Sequence, residues 1–150
     1  MQGKEDANLK NNYKQKKCVV LGLLLKQNKI LLVQTPRGKI YLPGGESKIP
    51  PKQREKSLQK NVYKKTGIEV QIEGLRGLRL LNGKKIFIYD LAEKPSSEKA
   101  EKNKWQQSHG YQALWLTIEE IKKNKAVTNY IKTLINDLLN EPLISIKALA

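Results

Sequence analysis

The sequence predicts a mixed α/β domain, with a sheet covered by helices on either side. Three observations predict it. Short apolar runs broken by Gly, Pro and Asn fill the first third of the chain. A stretch opened by proline and closed by glycine follows, with no breaker inside it. Near the C-terminus an apolar stripe recurs at helical spacing. At 150 residues the chain has the length of one ordinary domain, enough to bury a core without disulfides or metal staples.

The elements follow in order. Residues 1–17 lack hydrophobic periodicity and carry five Lys and two acids, which reads as a flexible basic tail. Cys18 to Leu25 is almost continuously apolar, Lys26 to Lys29 is polar, and Ile30 to Val33 is apolar again; this pattern predicts a hairpin of buried strands. Thr35 to Lys39 is a second turn and Ile40 to Leu42 a short strand, which Pro43-Gly44-Gly45 ends with permissive backbone. Pro51 opens a helix that runs to Lys65, with Gly67 placed for a left-handed cap. Its apolar side is thin: Leu58 and Val62 share one face and Tyr63 lies nearby, so the helix must dock to be stable.

Ile68, Val70 and Ile72 alternate with Glu69 and Gln71 as a strand, and two more strands, Leu78–Leu81 and Lys85–Leu91, flank the turn Asn82-Gly83. Ala92 to Gly110 is a long polar stretch, the composition of a functional or flexible loop. Tyr111 to Leu116 is the last core strand. Thr117 then caps a helix, with Glu120 at the reciprocal position. A final helix spans Ala126 to Asn140, its stripe formed by Val127, Tyr130, Ile131, Leu134, Ile135 and Leu138. The domain is therefore 18–140. Residues 141–150 form a C-terminal tail, whose apolar part packs back on the domain or against a second copy, so a homodimer is one arrangement the sequence allows.

Charge narrows the classes of partner. Lys and Arg number 29 against 14 acids, a formal net charge of +15. Such a field attracts phosphates, nucleic acid or anionic surfaces. The longest apolar run, Val19 to Leu25, is far too short for a membrane-spanning helix, so no membrane insertion is expected. The polar first seventeen residues do not read as a secretory or transit signal, and a cytoplasmic protein is expected. The single Cys18 offers neither an internal disulfide nor a cysteine-rich zinc site, and reads as core packing. The sole histidine, His109, reads as a surface residue of the polar stretch. Aromatic residues make up 6% of the chain, a weak basis for stacking on single-stranded nucleic acid.

Leu32-Val33-Gln34, Arg37, Tyr41-Leu42-Pro43-Gly44-Gly45-Glu46 and Thr66-Gly67-Ile68-Glu69-Val70 together resemble the Nudix hydrolase family, in the order strand, Leu-Pro-Gly-Gly, helix, Thr-Gly, strand. Tyr111 to Ile121 resembles that family's last strand and following helix, so the resemblance covers about Cys18 to Asn140. It implies a Nudix-type α/β/α sandwich with a mixed sheet between helices. It also implies hydrolysis of a diphosphate linkage with divalent cations held by helix glutamates.

The glutamates themselves are replaced. Anchored on Thr66-Gly67, the Arg-Glu…Glu-Glu segment of the family is occupied by Lys60, Asn61, Val62, Tyr63, Lys64 and Lys65, and the earlier Glu by Lys52. Anchored on Gly45 instead, the positions fall on Pro51, Gln59-Lys60 and Tyr63-Lys64. The only carboxylates between Gly44 and Gly67 are Glu46 and Glu55, and neither lands on a ligand position in either register. Magnesium needs carboxylate oxygens, and ammonium groups would repel it. No resident cofactor and no catalytic residue are therefore expected.

Lys52, Lys56, Lys60 and Lys64 recur every four residues and sweep an arc opposite Leu58 and Val62, with Arg54 and Lys65 flanking it. With Lys48, the segment holds seven positive charges and one acid, Glu55. The expected function is binding of a phosphate-rich ligand, nucleotide or nucleic acid, through this helix, with Arg37 and Lys39 of the preceding turn as further phosphate contacts. One alternative is a still-active hydrolase of a nucleoside diphosphate compound, using Mg2+ with off-pattern acids such as Glu46, Glu98 or Glu101. Another is a scaffold whose charge only sets solubility, the arc being a solvated helix face.

Overall fold

The computed structural model describes residues 17–95 and 109–140. The expected tails (residues 1–16 and 141–150) and the candidate acids Glu98 and Glu101 lie outside the described residues. The chain runs β1 (Lys17–Leu23), β2 (Leu25–Lys26), β3 (Lys29–Gln34), β4 (Ile40–Tyr41), β5 (Gly44–Lys48), α1 (Pro51–Thr66), β6 (Val70–Leu81), β7 (Lys84–Glu93), β8 (Gln112–Thr117), α2 (Ile118–Lys123) and α3 (Asn129–Asn140).

The strands form two sheets. In the first, ordered β5-β1-β7-β6, β1 pairs parallel with β7 and antiparallel with β5, so the sheet is mixed. In the second, β3 lies between β8 and the short β2 and β4. The hairpin expected from Cys18 to Val33 is reduced to β2 and the start of β3. Gln27 and Asn28 take left-handed backbone at its two-residue turn, at φ 51° and 64°. The run bends at Leu24, sending β1 into one sheet and β3 into the other. Both strands are buried on two faces, so their continuous apolar composition could not reveal the break.

Three further expectations change. Pro43-Gly44-Gly45 does not end the sheet region: Gly44 to Lys48 is itself a strand, paired with β1 from Leu21↔Gly44 to Lys17↔Lys48. The separate strands expected around Ile68–Ile72 and Leu78–Leu81 are one strand, β6. Bulges at Ile72/Gly74 and Leu75/Gly77 interrupt its pairing and hide its period of two. The last helix starts at Asn129 rather than Ala126. Ala126 lies in a turn and Val127 bridges to Ile40, the Ala126 carbonyl accepting from Ile40 N–H, and the Thr128 hydroxyl accepts from Ile131 N–H to cap the helix.

Other elements follow their sequence signals. Gly67 takes φ 77° and closes α1, donating to the Tyr63 carbonyl. Asn82 and Gly83 turn the β6–β7 hairpin with φ 51° and 77°. Thr117 and Glu120 form the reciprocal capping box, and these hydrogen bonds hold the Glu120 carboxyl below its ordinary pKa.

The core has two halves. Leu58 and Val62 of α1, both fully buried, pack with Val20, Leu31, Phe87 and Tyr89 on one side. Ile131, Leu134, Ile135 and Leu138 of α3, with Ile121 of α2, pack against Leu21, Leu32, Ile86 and Ile88 on the other. Burying Leu58 and Val62 contributes about 1.5–3 kcal/mol each, which is what holds a helix of such low apolar content. Helices thus cover the strands from both sides. Among the described residues no helix is long and apolar enough to cross a membrane.

Candidate functional site

The docking of α1 sorts its basic residues into two sets. Lys52, Lys56 and Lys60 are exposed and Lys64 is half-buried along the outer arc. Arg54 and Lys65 do not flank that arc. At about 100° per residue they fall on the side of Leu58, and both reach inward. The Arg54 guanidinium lies 3.8 Å from the centre of the Phe87 ring and donates to the Tyr89 hydroxyl at 2.9 Å and to the Ile49 carbonyl at 2.6 Å. It is a structural cation, fixing the start of α1 to β7.

Lys65 reaches the paired glycines. Its ammonium donates to the Gly44 carbonyl at 2.6 Å and stands 5.5 Å from the centre of the Tyr111 ring. One turn earlier, Asn61 lies over Gly45, where an added Cβ would come within 2.9 Å of Asn61 Oδ1. Burial, and then the neighbouring Lys64, lower the Lys65 pKa from its ordinary 10.5. The sign follows from linkage. Below its folded pKa the half-buried charge costs stability relative to the unfolded chain, and the cost lifts as pH rises toward the unfolded value. An anion placed at the ammonium would offset the same cost.

Two adjoining hollows meet at this point. A cavity of about 410 Å³ is lined by Val19, Leu21, Val33, Leu42, Leu81, Ile86 and Ile131, with Lys65, Tyr41, Tyr111, Thr35, Thr128 and Tyr130 as its polar points. A second, of about 400 Å³, is lined by Thr35, Pro36, Arg37, Lys39, Tyr41 and Tyr111, so Thr35, Tyr41 and Tyr111 are common walls. The Tyr130 hydroxyl is buried and has no hydrogen-bond partner among the described residues. Burial raises its pKa, against a smaller opposing effect of Arg79. A buried polar group without a partner costs free energy, on the order of 1–3 kcal/mol.

The structure therefore brings together Arg37, Lys39 and Lys65 of the expected residues. Lys56 faces a different hollow, with Lys17, Glu46 and Lys48, and Lys52 and Lys60 line neither cavity. Sequence reasoning placed Tyr130 in the core stripe and Tyr41 in a strand. The signal for Tyr130 was its polar tip within an otherwise aliphatic stripe.

Among the described residues the donor set does not suit a divalent cation. The helix positions where the resemblance expects carboxylates hold Asn61, Lys64 and Lys65, and an ammonium already occupies the Gly44 carbonyl. Glu46 is exposed on β5 and pairs with Lys17 at 3.6 Å and Lys84 at 3.5 Å. Among the described residues no group of three His, Cys, Asp or Glu side chains is placed to hold a metal ion. His109 is exposed and Cys18 is buried.

Solved structures share this architecture. A Nudix hydrolase from Nitrosomonas europaea superposes with a TM-score of 0.56 at 22% identity, covering 82% of this chain and 88% of that one. A structure from work on MutT of Aliivibrio salmonicida and Vibrio cholerae gives 0.61 at 15% identity, covering 81% and 95%. A UDP-X diphosphatase gives 0.63 at 15% identity, covering 89% and 69%. No family model matches the sequence. No curated protein matches it either. The chain has the Nudix fold.

Proposed function

We propose that this Nudix-fold chain is a binding protein for a phosphate-bearing ligand of the nucleotide class, and that it has lost metal-dependent pyrophosphohydrolase activity. The observation that carries the reading is the pair of joined hollows. One is apolar, with Tyr130 in its wall; the other is lined by Arg37 and Lys39; Tyr41 and Tyr111 wall both. An apolar slot with few polar points suits a heterocycle, and a basic annex suits its phosphates. The replaced glutamates support the loss of hydrolysis.

Nucleic acid is the second reading, favoured by the exposed Lys52, Lys56 and Lys60 and the net charge of +15. Titrating the protein with nucleoside mono-, di- and triphosphates and with short RNA and DNA separates the two. We expect Arg37→Glu with Lys39→Glu to weaken nucleotide binding about tenfold or more, equivalent to about 1.4 kcal/mol. Tyr130→Phe, which removes a buried hydroxyl without a described partner, should leave nucleotide affinity within twofold and keep the melting temperature or raise it by a few degrees. Charge reversal of Lys52, Lys56 and Lys60 should leave nucleotide affinity unchanged. If that reversal abolishes nucleotide binding and the Arg37/Lys39 pair does not, the arc is the site.

A further inference from the structure

Lys65 is an unusual cation for its surroundings. It is half-buried, its described hydrogen-bond partner is a single carbonyl, and Lys64, whose charge lowers its pKa, has the same sign. An ammonium has three donors, and Gly44 takes one of them. The face of Tyr111 offers a weak second contact. A buried charge left in this state calls for an anion. The place where an anion would arrive is open, because Lys65, Gly44, Gly45, Tyr41 and Tyr111 line the same cavity, and Tyr41 and Tyr111 continue into the basic hollow.

Resting on the reading above, we infer that Lys65 is the site's built-in counter-cation: its ammonium, seated on the Gly44 carbonyl, binds a phosphate group of the ligand at the junction of the two hollows, so that binding needs no divalent metal. A metal ion would have to displace the ammonium from that carbonyl, against charge repulsion and, among the described residues, without a group of carboxylates to receive it. The lysine supplies one positive charge and directed donors at a fixed place. It does not supply a polarised water, so phosphate binding is separated from phosphate cleavage. The direction of the Lys65 pKa accords with this geometry, since a phosphate bound at the ammonium would raise it again.

The test uses the full chain, with ADP and inorganic pyrophosphate as probes, titrated calorimetrically in EDTA and again in Mg2+ at matched ionic strength. The expected result is affinity within twofold between the two conditions. Lys65→Gln, which retains a donor for Gly44 but no charge, should weaken both probes at least tenfold, and Lys65→Arg should recover most of the loss. Lys122→Gln, on the distant α2, should change nothing, and melting curves confirm that each variant is folded. Wild-type binding that requires Mg2+, or Lys65→Gln binding as tightly as wild type, overturns the inference while leaving the binding reading intact. Failure of the wild type to bind either probe in both conditions overturns both.

Discussion

Gly44→Ala should lower the melting temperature by about 10 °C or more, corresponding to a loss of about 4 kcal/mol. Gly44 has φ 151°, a conformation that L side chains rarely adopt, and an added Cβ would come 1.9 Å from the Val20 carbonyl oxygen and 2.9 Å from its carbon. Both contacts are with backbone in the middle of the sheet, so no flexible side chain can yield. Relief requires β5 to move away from β1, which breaks the register Val20↔Gly45 and Leu21↔Gly44. The same shift withdraws the carbonyl that seats Lys65. Thermal denaturation checks the stability, and ligand titration of the folded fraction checks the site. A variant as stable as wild type would mean that the strand has a slack the structure does not show.

Replacing Asn61 and Lys65 together by Glu should create a divalent-cation site where none is expected now. The two residues are four apart on one face of α1, and they rest on consecutive glycines of β5. Two carboxylates and the Gly44 carbonyl would give a hard oxygen donor set. Without metal, paired acids half-buried against a carbonyl should destabilise the variant. Added Mn2+ should then raise its melting temperature, by about 1.4 kcal/mol of stability at a concentration ten times the dissociation constant. Wild type should show no such rise. An equal rise in wild type would show that the present residues already hold the metal, and would reverse the reading of the helix.

Most of the fold is legible in the sequence because its signals are local. Gly67, Asn82-Gly83 and the Thr117–Glu120 box each act within a few residues, and each forms as its chemistry dictates. What was not legible depends on long-range pairing. Nothing local distinguishes Gly44 to Lys48 from a loop, since two glycines and two charged residues have poor strand propensity, and only pairing with β1 makes the segment a strand. The site divides in the same way. The lysines of the helix are plain in the sequence, and the resemblance alone sets Lys52, Asn61, Lys64 and Lys65 where that family keeps glutamates. That Lys65 turns inward while Lys52, Lys56 and Lys60 stay in solvent follows from how α1 docks on Leu58 and Val62. Tyr130 could be recognised as a cavity residue only once the Tyr41–Tyr111 side of the sheet was in place.

The central claim is that phosphate recognition in this chain is separated from metal-dependent cleavage. The measurement that tests it most directly is product formation by wild-type protein incubated with nucleoside di- and triphosphates and sugar nucleotides, in Mg2+ and in Mn2+, followed by phosphorus NMR. The expected result is ligand that binds and is recovered intact over hours at stoichiometric protein. Metal-dependent cleavage of any of these compounds, lost in EDTA and lost again in Glu46→Gln, would contradict the claim and establish a hydrolase working through off-pattern acids.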